Sequence, residues 1–77
     1  MAVVRLMSWR TGLQKVALND AIREHAGVGV AEAKAVVDDL LAGRSPAVAM
    51  PSREAANELV RAAAMLGASA RLEDSAG

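Results

Sequence analysis

Three runs of this chain carry apolar residues at helical spacing, and each run stops at a glycine. In the first, from Leu13 onward, Ala17, Leu18, Ala21 and Ile22 form one stripe, while Gln14, Lys15, Asn19, Asp20 and Arg23 face away. Gly27 follows, where a helix C-terminus favours a left-handed residue. In the second, Ala33, Val36, Val37, Leu40 and Leu41 repeat at i, i+3, i+4, i+7 and i+8, with Glu32, Asp38 and Asp39 outside and Gly43 as the stop. The third aligns Ala56, Leu59, Val60, Ala63 and Leu66 before Gly67, with Ser52 as N-cap and Glu54 near the positive end of the helix dipole. Three one-sided helices require a common apolar surface to cover.

The remaining segments supply it. Ala2 to Ser8 alternates, with Val4 and Leu6 on one side and Val3, Arg5 and Met7 on the other, the period of a half-buried strand. Thr11 and Gly12 break it. Pro46 and Pro51 bracket PAVAMP, which permits only an edge strand or irregular extended chain. Ala68 to Glu73 alternates again, Ala68, Ala70 and Leu72 against Ser69, Arg71 and Glu73, as a last strand. The order strand, helix, helix, strand, helix, strand leaves too small a sheet to thread helices on both sides. The predicted fold is therefore α+β, a two-layer βααβαβ sandwich with three helices on one face of a small three-stranded antiparallel sheet. One domain covers residues 1–73, and 74–77 form a flexible tail.

Composition narrows the chemistry. A chain of 77 residues buries only about 60% of its unfolded surface. Eighteen alanines and no phenylalanine or tyrosine make its core one of small aliphatics. There is no cysteine for a disulfide or thiolate site, and the lone histidine, His25, lacks the companions of a metal centre. Nine basic residues balance nine acidic ones, so no net field steers the chain to nucleic acid or membrane, and a single aromatic, Trp9, offers no base-stacking platform. The opening MAVVRLMSWR is interrupted by Arg5 and Arg10 and is neither a signal core nor a membrane span. The expectation is a cytoplasmic protein with no cofactor, no metal, no direct nucleic-acid partner and no membrane.

The stretch HAGVGVAEAK, residues 25–34, raises the question of a phosphate loop. Such a loop needs its glycines between a strand and a helix N-terminus, so that backbone N–H groups converge on the anion. Here a helical pattern precedes Gly27, the third glycine of GxGxxG is missing, and no GKS or GKT follows. Gly27 and Gly29 are read as a structural corner: Gly27 with positive φ, Gly29 letting the second helix start close to the first, and Val28 and Val30 covering the junction.

Catalytic readings find little support. His25 has no serine or cysteine beside it and sits at a helix C-terminus, where a cation is favoured. Asp38 and Asp39 point about 100° apart on a helix and cannot share a proton. Ser8 and Ser45 lack an activating base, and Ser52 is explained by capping. No catalytic residues are assigned. Trp9 is read as a cap on the end of the core, with an exposed anchor as the alternative. Met50 packs against the third helix or serves as an adaptable contact. Arg5, Arg10 and Arg71 align on the open sheet face if the terminal strands are neighbours.

KVALNDAIREHAGVGVAEAKAVV resembles the C-terminal domain of the bacterial ribosomal stalk protein, whose motif runs from a Lys-Val helix through a Gly-Leu-Gly-Leu corner into Glu-Ala-Lys. LGASARLE is similar to that family's closing segment, and the likeness covers nearly the whole chain. It implies a βααβαβ fold whose first two helices dock a protein partner, in that family the translational GTPases. Lys15, Val16, Arg23 and Lys34 stand at the family's docking positions. Asn19 replaces an expected aliphatic residue, and Asp20 replaces a lysine, reversing one charge of a basic patch. The implied partner-binding set is Lys15, Val16, Asn19, Arg23 and Lys34. The family's N-terminal dimerisation segment and hinge have no counterpart in these residues, which implies the docking domain by itself.

The length of DDLLAGRSPAVAMPS is similar to a second family of the same fold, the adaptor that delivers substrates to the Clp protease. That adaptor's pocket rests on an Asn-Asp-Asp loop after the first strand, where this chain has SWRTG, so the likeness implies the fold without the pocket. The expected partner is thus a protein, a translation factor or a protease component. The alternative is a homodimer, pairing through the proline-flanked strand and the open sheet face with Met7 and Trp9 at the contact.

Overall fold

The structure, a computed structural model, describes residues 2–74. Its elements are β1 (Ala2–Trp9), α1 (Lys15–Ala26), α2 (Val30–Leu41), β2 (Ala47–Ala49), α3 (Arg53–Leu66) and β3 (Ala68–Asp74). The strands form one antiparallel sheet in the order β2-β1-β3, the predicted βααβαβ sandwich. β1 takes the centre, paired with β2 along one side and with β3 along the other. Val4 faces Val48 on one side and Leu72 on the other, and Leu6 faces Ala70. Val4 and Leu6 are fully buried beneath Leu18, Ile22, Leu40 and Leu59 from the three helices. β2 is the short edge strand that its flanking prolines allow, and Met50 just beyond it is buried in the core, its N–H donating to Ala2 O at 2.9 Å.

The helix ends follow local chemistry. Ser52 adopts extended dihedrals and its hydroxyl accepts from the Ala55 N–H at 3.1 Å, leaving one fewer orphan donor in the first turn of α3. Gly27 closes α1 in the left-handed region with φ 70°, and its N–H donates to Arg23 O. Gly67 closes α3 with φ 102°, and there the chain also comes close to a neighbour: an added Cβ would lie 3.1 Å from Leu13 Cα.

Several expectations are corrected. α1 begins at Lys15 rather than Leu13, because the Leu13 N–H closes a turn onto Arg10 O and the Gln14 N–H donates to Leu66 O. Gly29 is the N-cap of α2 with ordinary extended backbone, and a Cβ there meets nothing within 4 Å, so close helix approach does not require it. Val28 packs against the core as expected, but Val30 does not cover the junction and is 56% exposed. Val60 and Leu66 are only half-buried at the edge of the α3 stripe. Asp74 belongs to β3 opposite Ala2, one residue past the predicted end, while the rest of the predicted tail, 75–77, lies outside the described residues.

Trp9 departs most. β1 pairs Leu6 with Ala70 but Ser8 with Ser69, so Met7 is an extra residue, a β-bulge. The bulge moves Trp9 from the open face, where strict alternation puts it, to the helix side opposite Ala68. It remains 43% exposed at the rim rather than capping the core. Arg10 likewise leaves the open face: its guanidinium donates to Ala64 O at 3.0 Å, a carbonyl of the last turn of α3.

Candidate functional site

A groove of about 400 Å³ runs between α1 and α2. Lys15, Val16 and Asn19 of α1 line one side; Val30, Lys34, Val37, Asp38 and Leu41 of α2 line the other. Helical spacing explains both walls. On α1, positions 15, 16 and 19 lie beside the core stripe of Leu18, Ala21 and Ile22, so they face sideways instead of inward. On α2, positions 30, 34, 37 and 41 recur every three or four residues and form a second stripe next to Ala33, Val37 and Leu40. Val37 belongs to both stripes and is buried at the groove floor.

The walls are unusually apolar for surface. Val16 is 78% exposed and Val30 56% exposed, although α1 has polar residues on most of its outer side. Lys34 is held by Asp38 at 3.0 Å, an i,i+4 pair on the same helix. Lys15 has no ion pair among the described residues. It stands at the first position of α1, where Gln14 supplies no side-chain cap and no acidic residue occupies the first turn. The positive end of the helix dipole and the Lys15 ammonium therefore add at one end of the groove, which favours an anionic group there.

Of the five residues expected from sequence to bind a partner, Lys15, Val16, Asn19 and Lys34 come together in this groove. Arg23 is not among the residues lining it; it is exposed and ion-paired with Asp20 at 3.6 Å. Asp20, one turn before it on α1, thus occupies the arginine. Val30 was missed because it was assigned to the corner, and Val37 and Leu41 because their stripe was read as core alone. The second α2 stripe, 30-34-37-41, was the available signal.

The histidine and the aspartates weighed for catalysis each meet a neighbour. His25 Nδ1 lies 3.4 Å from Glu58 Oε2 on α3, Asp38 is paired with Lys34, and Asp39 with Arg44 at 2.9 Å. No set of three or more His, Cys, Asp or Glu residues is grouped to hold a metal ion among the described residues. No described helix is long and apolar enough to cross a membrane. No protein-family model and no curated protein sequence matches this chain.

Proposed function

We infer that this chain is a non-catalytic docking domain of the ribosomal-stalk C-terminal type, taking a protein partner in the groove between α1 and α2. The observation that carries the reading is the convergence of Lys15, Val16, Asn19 and Lys34 on one groove with Val16 and Val30 standing exposed in it. Exposed β-branched residues flanked by charge give a surface that binds by burying an apolar anchor inside a polar rim. The partner surface that fits carries an aliphatic or aromatic anchor with a carboxylate reaching Lys15. A translational GTPase is the partner implied by the stalk resemblance. Asn19 and Asp20 depart from that family's pattern, so the preference among such factors shifts with them.

The test is a titration of the isotopically labelled chain with a purified translational GTPase, followed by amide chemical shifts. Shifts confined to Val16, Asn19, Val30 and Lys34, abolished by Val16→Asp with the fold intact, support the reading. Shifts centred elsewhere, or none with the GTPase at saturating concentration, overturn it; capture by a protease component instead redirects the partner while keeping the groove.

A further inference from the structure

The two edges of the sheet are guarded differently. β2 is three residues long and lies between Pro46 and Pro51, which remove donors and stop an added strand from extending. β3 is seven residues long and contains no proline. Among the described residues its backbone pairs with β1 and with no other element, so its outer edge presents unmatched donors and acceptors. Its side chains alternate cleanly. Leu72, opposite buried Val4, packs against the core on the helix side; Arg71, opposite Arg5, lies with Glu73 on the open face. Around Leu72 the strand thus reads positive, apolar, negative.

We propose that β3 pairs with β3 of a second copy of this chain, antiparallel about a two-fold axis at Leu72, joining two three-stranded sheets into one of six. A two-fold axis normal to the sheet keeps both helix layers on one side, and matching faces require the axis to fall on a residue. Charge then selects which residue. An axis at Arg71 sets Arg71 against the partner's Arg71, and an axis at Ala70 sets it against the partner's Ser69. An axis at Leu72 sets Arg71 against the partner's Glu73 twice, with Leu72 beside the partner's Leu72 extending the apolar layer. Within each chain Arg5 and Arg71 both hold Glu73, at 3.0 and 2.8 Å, so at the joint each Arg71 lies between its own Glu73 and the partner's. α3, which packs against β3, exposes residues of both signs, Glu54, Glu58 and Arg61, so no single-sign field from that helix opposes the pairing. A pairing this short is small for an interface, so the dimer is expected to dissociate in a range of about 10 μM to 1 mM. The proposal is independent of the groove, which lies on α1 and α2.

Sedimentation equilibrium across that range tests it with three variants. Arg71→Glu places four carboxylates at the joint and should weaken the dimer on the order of tenfold or more. The exchange Arg71→Glu with Glu73→Arg restores opposite charges across the axis and should recover affinity to within about threefold of the parent chain. Mixing Arg71→Glu with a separate Glu73→Arg chain should give the mixed dimer in preference to either alone, and hydrogen exchange should slow at β3 amides as concentration rises. A chain that stays monomeric up to about 1 mM, a dimer indifferent to Arg71→Glu, or a loss that the exchange does not rescue overturns the proposal. Circular dichroism of each variant separates a failed joint from a failed fold.

Discussion

Arg5 and Glu73 form an ion pair of 3.0 Å although they are not opposite one another: Arg5 stands across from Arg71, and Glu73 across from Val3. The diagonal places one carboxylate between two guanidiniums, Arg71 approaching the other oxygen at 2.8 Å. Arg5 also donates to Ser45 O at 2.7 Å, so a single side chain ties the segment leading into β2 to both other strands.

The Arg71 and Arg5 hydrogen bonds hold the Glu73 carboxyl below its ordinary value of 4.5, against a smaller opposing effect of desolvation. A depressed folded pKa stabilises the fold above the ordinary value; below 4.5 the unfolded chain takes up the proton first and that stabilisation is lost. Urea midpoints measured from about pH 6 down to about pH 3 should fall less steeply in Glu73→Gln than in the parent chain. Equal slopes would remove Glu73 from the acid response.

Three glycine-to-alanine changes should separate by mechanism. Gly67→Ala meets both a positive φ and Leu13 Cα at 3.1 Å, and should cost about 2 kcal/mol or more. Gly27→Ala meets the positive φ in open space and should cost about 1 kcal/mol. Gly29→Ala meets neither and should stay within about 0.5 kcal/mol of the parent chain. Denaturant titration ranks them; an inverted order between Gly67 and Gly29 would refute the steric account.

Removing the hydroxyl of Ser52 should cost about 1 kcal/mol, because the Ala55 N–H at 3.1 Å loses its acceptor at the start of α3. Ser52→Asp should retain most of the stability that Ser52→Ala loses. Thermal unfolding of the three proteins decides it.

The start of α1 should show stability and binding moving in opposite directions. Lys15→Glu places an acidic residue at the positive end of the dipole and should stabilise the fold by about 0.5 kcal/mol. The same change reverses the charge at the α1 end of the groove and should weaken an acidic partner about tenfold. Melting temperature and partner titration on one sample read both.

The fold was largely legible because its signals are periodic. Stripes of period 3.6 on the helices, alternation on β1 and β3, and prolines around β2 each specify an element and its buried side. The bulge was not legible: nothing in LMSW distinguishes Met7 from a regular strand residue, and one extra residue takes Trp9 off the side that strict alternation gives it. Arg10 was misplaced because its contact with Ala64 O depends on where α3 ends in space. At the groove, Lys15, Val16, Asn19 and Lys34 were expected from the stalk resemblance, whereas Val30 and Leu41 required knowing which flank of α2 stays uncovered. Whether Gly29 needed to be glycine depended on the separation of α1 and α2, which spacing alone does not give.

α1 is braced against α3 at both of its ends: the Gln14 N–H is anchored on Leu66 O at 2.9 Å, and His25 reaches Glu58 at 3.4 Å. Mechanically, a tug on the groove does not bend α1 as a free rod. The load passes to α3 and from there into the sheet beneath, while α2, joined to α1 through three residues and a left-handed Gly27, bears on the core through its own stripe of Ala33, Val37 and Leu40.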